Sequence, residues 1–257
     1  MPIASLDFVT HSTSAVVHDA GDIPIMQTLE ALPYVTQTAR EIIDRGAAGR
    51  PVQYMLNPVA LGIRGDPFGD RPNVDDVRMP MANADPRSRA MFGAAYFVGY
   101  MASLGLEAGT AVDAVALGPS SSPLACALGG LRRLSCLRVM SAGDTMGDRG
   151  LIAGDGTPYP AYYVVRGLAS AAANGACLLE CDSAAPSAVA ALGLQTAAGS
   201  EVWLANLQPS PTAVSVDDGG RGAAAAVELI GADGVRAAAA GGAVELDGYG
   251  VAVLRWY

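Results

Sequence analysis

The apolar positions of the first 174 residues follow two periods in turn, one typical of strands and one typical of helices. A β-rich run at Leu6–Thr10 precedes apolar residues spaced three and four apart between Asp22 and Gly46, as in an amphipathic helix. Pro33 lies inside this helix and should kink or divide it, because proline removes a backbone donor. The same reading predicts strands at Pro51–Leu56 and Val112–Leu117, and helices at 85–104 and 160–173. Strands that alternate with helices indicate βαβ units, and three such units are present.

The pattern changes after Asn174 and Gly175 to short strand-like runs separated by turn residues. Seven runs are predicted strands: Ala176–Leu179, Val189–Thr196, Glu201–Leu207, Ala213–Val216, Ala223–Ile230, Ala243–Leu246 and Val251–Trp256. Short strands at this spacing are typical of a small antiparallel sandwich. The predicted fold class is therefore α/β plus all-β, with part of a TIM-barrel-like (β/α)8 domain at residues 1–174 and a β-sandwich at residues 175–257.

Three βα units are too few to close a barrel of eight strands. An open parallel sheet would leave its first strand with a long unpaired edge. We therefore expect this sequence to be a fragment of a longer protein, and we expect the chain alone to associate through the missing barrel strands.

Composition narrows the classes of function. The chain has 257 residues, of which 51% are hydrophobic and 16% are charged, as in a packed globular protein. All sixteen basic residues are arginine, which excludes lysine Schiff-base chemistry and the P-loop lysine. The formal net charge of −9 argues against a nucleic-acid partner.

The cysteines, the N-terminus and the longest uncharged stretch together bear on where the protein is located in the cell. Four cysteines, at positions 126, 136, 177 and 181, are too few for a disulfide scaffold and are expected to be buried thiols. The N-terminus shows no signal peptide. The uncharged stretch Ala90–Leu106 contains three glycines and follows an Asp85-Pro86 helix start, which favours a buried helix over a membrane span. We expect a soluble cytoplasmic protein with no membrane partner.

Both histidines of the chain follow the first predicted strand. In a β/α barrel, the loops at the carboxyl ends of the strands carry the active site. His11 or His18 could there take a proton from a water that attacks an ester carbonyl. The alternative is that one histidine bonds to the backbone of its loop and the other is exposed beside Asp19.

Further polar candidates follow the second predicted strand and open the last helix. Arg64 could bind the oxyanion of a tetrahedral intermediate, while Asn57 and Asp66 could bind hydroxyl groups of a sugar. Tyr159 could stack on that sugar. Alternatively, Arg64 pairs with Asp66 in an ordinary turn, and Tyr159 packs in the barrel. Two histidines seven residues apart form no recognised metal motif, so no metal or other cofactor is predicted, and a metal-activated water is the main alternative because His and Asp are suitable ligands.

Five segments of the sequence resemble the D-apionate lactonase family. They are DFVTHSTSAVVHDAGDIPIMQTLEALPYV, LNPVALGIRGDPFG, FGAAYFVGYMASLGLEAG, YPAYYVVRGLAS and WLANLQPSPTAVSV. The resemblance covers essentially the whole chain, but only the last part of the family's central TIM-barrel-like domain and its C-terminal β domain. It implies hydrolysis of a small sugar lactone, the opening of D-apionolactone to D-apionate in apiose catabolism. It carries no short active-site motif, so it assigns no catalytic residue.

Two other functions remain open. A barrel followed by a sandwich is also common among glycoside hydrolases, which usually need two facing carboxyl groups. None of the seven glutamates lies at the carboxyl end of a predicted barrel strand, so this chain does not house such a glutamate pair. The other possibility is a catalytically silent structural or carbohydrate-binding fragment.

Overall fold

The computed structural model describes residues 2–16, 21–63, 85–105, 112, 114–117, 124–129, 133–137, 151–153, 155–217, 219–220 and 222–257. Its helices are α1 (Asp22–Ala47), α2 (Met91–Gly105) and α3 (Pro160–Ala173), with short 3-10 turns at Ile3–Ser5 and Pro86–Arg89. Its strands are β1 (Phe8–Val16), β2 (Gln53–Ile63), β3 (Ala114–Leu117), β4 (Leu124–Gly129), β5 (Arg133–Leu137), β6 (Cys177–Leu179), β7 (Val189–Thr196), β8 (Gly199–Asn206), β9 (Thr212–Val214), β10 (Ala226–Gly231), β11 (Gly234–Ala238), β12 (Val244–Leu246) and β13 (Val251–Trp256).

Eleven of the described strands form one sheet, in the order β1-β2-β3-β4-β5-β6-β7-β8-β13-β10-β11. β1 pairs with β2, and β2 with β3, in parallel. From β3 onward every neighbouring pair in the sheet is antiparallel. β9 and β12 form a separate antiparallel pair. The parallel strands therefore lie at one end of the sheet, and the antiparallel strands of the C-terminal part lie at the other.

Helix α2 lies at the centre of the core. It packs against α1, α3, β7 and β8, and its side chains are buried on almost every face. A helix that is apolar all round belongs in a protein interior, as the uncharged stretch in the sequence indicates. None of the helices in the described ranges is long and apolar enough to cross a membrane.

Helix α1 is continuous through Pro33, so this residue does not divide the helix, and a kink at Pro33 stays a prediction. The apolar stripe of α1 packs into the core and offsets the lost backbone hydrogen bond. The buried members of this stripe are Ile25, Met26, Leu29, Leu32 and Ile43. One turn after the proline, the hydroxyl of Thr36 donates to the carbonyl oxygens of Leu32 and Pro33, at 3.0 Å each.

Three strands occur where none was predicted: β4, β5 and β11. β4 reads LACALG and β11 reads GVRAA, so both are rich in alanine and glycine and poor in β-branched residues. Their strand structure comes from pairing, β4 with β3 and β5, and β11 with β10. Tertiary context overrides weak local propensity here.

Candidate functional site at the carboxyl ends of the first two strands

β1 and β2 run in parallel and end at the same edge of the sheet. Their last paired residues are Val16 and Ile63. Along β1, Phe8 is exposed, whereas the next residue, Val9, points to the opposite face and packs against the core. One face of this strand therefore meets the helices, and the other face is open in the described part of the chain.

His11 lies inside β1, not in a loop beyond the first strand as predicted. The segment HSTSAV extends the strand because its residues pair with β2 as far as Val16. Nε2 of His11 lies 2.6 Å from the hydroxyl oxygen of Tyr54 on β2, and Nδ1 lies 3.2 Å from the carbonyl oxygen of Ser12. Because a carbonyl oxygen only accepts, Nδ1 carries a proton, and Nε2 of the neutral ring accepts from Tyr54.

The Tyr54 hydroxyl is protonated at neutral pH. Burial raises the pKa of Tyr54 to about 12, although the positive charge of Arg40 lowers it in part. Arg40 belongs to α1 and donates to the carbonyl oxygen of Val52, at 3.0 Å. The contact between His11 and Tyr54 thus joins the first two strands beneath α1.

A second polar pair lies two residues further along β1. The hydroxyl oxygens of Thr13 and Tyr100 are 2.9 Å apart, which connects β1 to α2. Burial raises the pKa of Tyr100 above its ordinary value. The ring of Tyr96 lies 6.0 Å from that of Tyr100, and burial raises the pKa of Tyr96 to about 12. Neutral tyrosine hydroxyls therefore fix β1 against the core helix.

β2 contains a bulge at Asn57 and Pro58. His11 of β1 pairs with Leu56 and Thr13 pairs with Val59, so two residues of β2 oppose the single residue Ser12. Pro58 has no backbone donor, and a bulge accommodates this loss within a strand. Asn57 therefore lies within β2 and not after it, which corrects the predicted end of the second strand.

The remaining candidates divide into two groups. Tyr159 occupies the N-cap position of α3 without a side-chain capping hydrogen bond, and the guanidinium of Arg89 lies 5.1 Å from the centre of its ring. His18, Arg64 and Asp66 lie outside the described residues. His18 follows the last residue of β1 by two positions, and Arg64 directly follows the last residue of β2. In the ranges that the structure covers, no cluster of His, Cys, Asp and Glu residues is suited to a metal ion.

Sequence reasoning missed Tyr54 and Tyr100 as partners of the strand residues. Their signal was a tyrosine inside a predicted buried strand and another inside a predicted buried helix. A buried tyrosine hydroxyl needs a hydrogen-bond partner, which points to polar residues on a neighbouring strand.

Comparison with known proteins identifies a curated relative and distant structural neighbours. The chain is 30% identical over 224 residues to a D-apionate lactonase from Brucella anthropi, covering 84% of this chain and 30% of that protein. A conserved exported protein from Bacteroides fragilis is 10% identical, with a TM-score of 0.47 over 97% of this chain and 46% of its own. A glycoside hydrolase family 30 subfamily 8 xylanase from Clostridium acetobutylicum is 11% identical, with a TM-score of 0.36 over 89% and 71% of the two chains. These scores carry no functional argument.

Two family models match the chain in succession. Residues 1–173 match the TIM barrel domain of D-apionate lactonase, and residues 186–254 match its C-terminal immunoglobulin-like domain. These matches confirm the predicted fold class, a partial TIM-barrel-like domain followed by a β-sandwich. The barrel match alone spans more than half of the chain, so the chain belongs to the D-apionate lactonase family.

Proposed function

We propose that this chain forms part of a cytoplasmic lactonase that opens D-apionolactone to D-apionate in apiose catabolism. The observation that carries the proposal is the match of both successive segments to D-apionate lactonase domains. The chain spans 30% of the length of the curated relative, so the lactonase activity of a whole protein of this family is part of this proposal.

We propose His18 and Arg64 as catalytic residues. They follow the paired ends of two neighbouring parallel strands, Val16 of β1 and Ile63 of β2. The carboxyl ends of β1 and β2 therefore lie side by side, and in β/α barrels the loops at these ends form the active site. The imidazole takes a proton from water as the water oxygen bonds to the lactone carbonyl carbon. The guanidinium holds the oxyanion until the ring C–O bond breaks and the released alkoxide takes the proton.

His11 is the alternative base, and its contacts favour a positioning role. In the neutral ring both nitrogens are engaged, Nδ1 with the carbonyl oxygen of Ser12 and Nε2 with the hydroxyl of Tyr54. A general base needs a free acceptor within reach of the water. Asn57, at the bulge, remains a proposed ligand of the sugar hydroxyls, together with Asp66 and Tyr159.

The test is an assay of the protein on D-apionolactone and related aldonolactones, with and without a chelator. We compare His11→Ala, His18→Ala and Arg64→Ala with the matched control Arg236→Ala, which changes an exposed residue of β11. We expect kcat/KM to fall by about a hundredfold or more in His18→Ala and Arg64→Ala, as when a catalytic base or an oxyanion donor is removed.

Three results would contradict parts of this proposal. Wild-type kcat/KM in His18→Ala with a large loss in His11→Ala would move the base to His11. Wild-type kcat/KM in all three variants would place the reaction on other residues. Hydrolysis of aryl glycosides without any lactone hydrolysis would overturn the lactonase function and favour the glycoside hydrolase class.

A further inference from the structure

A polar cleft lies between α3 and the antiparallel part of the sheet. Its volume is about 670 Å³. One wall is a face of α3 that presents Arg166, Ser170 and Asn174, and the other wall carries charged residues of β8, β10 and β13. A smaller cleft of about 360 Å³ shares these charged residues and continues past the β7–β8 turn.

The sheet wall is built around the guanidinium of Arg255. Its Nε donates to Oε1 of Glu201 at 3.0 Å, and its Nη1 lies 2.6 Å from Oε2 of Glu228. The indole nitrogen of Trp203 donates to the other oxygen of Glu201, at 3.2 Å. The side chain of Glu201 is 17% exposed, whereas that of Glu228 is 39% exposed. This wall therefore has one net negative charge, and Glu228 presents acceptor oxygens to the cleft.

The helix wall supplies hydrogen-bond donors. Arg166 and Ser170 are spaced four residues apart along one face of α3, and Asn174 follows as its C-cap, with its Nδ2 donating to the carbonyl oxygen of Ser170 at 2.9 Å. Arg166 is exposed, and no residue that the structure describes forms an ion pair with it. Gly167 lies beside this row, and a Cβ added there would collide with Cη2 of Trp203. This glycine lets the indole pack directly against the helix and form the base of the cleft.

We propose that this cleft binds a neutral carbohydrate of mono- or disaccharide size. Sugar hydroxyls both donate and accept, so they can donate to Glu228 and accept from Arg166 at the same time. The two arginines and two glutamates of the lining cancel in formal charge, which disfavours an anion as much as a cation. The volume lies in the range of small-molecule sites. This proposal does not rest on the lactonase activity.

The test is calorimetric titration and saturation-transfer NMR with xylobiose, sodium gluconate and spermidine as the neutral, anionic and cationic probes. We expect saturable binding of xylobiose and weaker binding of both charged probes. Arg166→Ala and Glu228→Gln each remove one charged hydrogen-bond partner, so each should weaken xylobiose binding by about tenfold or more. Arg236→Ala, an exposed arginine that does not line the cleft, is the matched control and should bind as the wild type does.

A variant that fills the cleft distinguishes binding inside the cleft from binding elsewhere on the surface. Ser170→Phe places a large side chain at an exposed position of α3, where the helix tolerates it, and it should abolish xylobiose binding with an unchanged circular dichroism spectrum. The proposal is overturned if xylobiose shows no saturable binding, or if gluconate or spermidine binds more tightly. It is also overturned if the three cleft variants bind xylobiose as Arg236→Ala does. Lactonase assays of the same variants report separately on the proposed function.

Discussion

At the scale of single residues, the hydrogen bond between His11 and Tyr54 explains the position of the histidine side chain. This residue is half-buried on β1, and its partner Tyr54 is fully buried on β2. A buried hydroxyl without a partner would cost more free energy than the hydrogen bond itself contributes. The pair therefore fixes the register of β1 and β2 as well as the tautomer of the histidine. Both residues precede the carboxyl ends of their strands, where the proposed catalytic residues follow.

Removal of the Tyr54 hydroxyl tests this pair. Tyr54→Phe leaves Nε2 of His11 without its donor, so we expect the free energy of unfolding to fall by about 1–3 kcal/mol. Urea denaturation monitored by circular dichroism measures the change. Tyr257→Phe is the control, because Tyr257 is 78% exposed, and it should leave the free energy unchanged. Equal stability of Tyr54→Phe and the wild type would show that the hydroxyl contributes nothing.

The same tyrosine predicts a loss of stability at high pH. Burial raises the pKa of Tyr54 to about 12, from an ordinary value of about 10. The folded state then holds the proton more tightly than the unfolded state, so this contribution is complete below pH 10 and is lost between about pH 10 and 12. Unfolding free energies measured across this range should decline less steeply in Tyr54→Phe than in the wild type. Parallel curves for the two proteins would refute the assignment.

At the scale of elements, α1 is a long helix that tolerates an internal proline because its apolar stripe is buried. Pro33→Ala restores a backbone donor and raises helix propensity, although it also increases the conformational entropy of the unfolded chain. We expect a net increase in the free energy of unfolding of about 1 kcal/mol. Thermal denaturation measures it, with Gln37→Ala at an exposed position of the same helix as the control. A lower melting temperature in Pro33→Ala would mean that the proline shapes the helix to fit the core.

The accuracy of the sequence-based prediction differed between elements for physical reasons. α3 begins at Pro160 and ends at Ala173, as predicted, because proline at the first position and Asn174-Gly175 after the last turn are strong local signals. β1 and β2 extend several residues beyond their predicted ends. The C-terminal half of β1 contains serines, and that of β2 begins with an Asn-Pro pair. Both patterns are typical of loops, so the sequence alone does not show that parallel pairing continues through them.

This difference decides how much of the site was predictable. The parallel pairing of the first two strands was predicted correctly from βα alternation, whereas the gathering of polar site residues at their carboxyl ends stays a prediction. The positions of His11 and Asn57 relative to those ends were not predicted correctly, because a strand's end depends on its neighbour's length. The partner of His11 was also not predictable, since Tyr54 lies 43 positions away in the sequence.

At the scale of the whole molecule, a charged cluster joins the barrel part to the C-terminal part. Arg87 lies 2.7 Å from Oδ1 of Asp22 at the start of α1, and 2.6 Å from Oδ2 of Asp85, whose side chain is 1% exposed. The hydroxyl of Tyr249, in the turn before β13, donates to the other oxygen of Asp22 at 3.2 Å. The ring of Tyr249 also meets that of Phe92 on α2, with centres 4.8 Å apart.

Loss of the central arginine should loosen this junction. Arg87→Ala leaves the buried carboxylate of Asp85 without its ion-pair partner, so we expect a destabilisation of about 3 kcal/mol. Differential scanning calorimetry should show a lower melting temperature, and amide exchange at β12 and β13 should become faster. Arg236→Ala, at an exposed position, should change neither measurement. Unchanged exchange in Arg87→Ala would show that the cluster does not couple the two parts.

The open end of the sheet leads to the last prediction, that the chain associates. β1 has β2 as its one neighbour among the described strands, and Phe8 on β1 is 53% exposed. An unpaired strand edge with an apolar side chain is a template for pairing with another chain. Analytical ultracentrifugation should therefore detect association that strengthens with protein concentration. Thr10→Lys places a charge on an exposed position of this edge and should weaken association, because each added chain would have to bury the charge.

Gln37→Lys adds the same charge to an exposed position of α1 and is the matched control. A general effect of lowering the net charge from −9 to −8 would change both variants equally, whereas an effect at the edge would appear in Thr10→Lys alone. A monomer at every concentration would mean that β1 does not act as a pairing edge. If the edge does pair, strands that precede β1 in a longer protein should pair with β1 and lower the exposure of Phe8 below 53%.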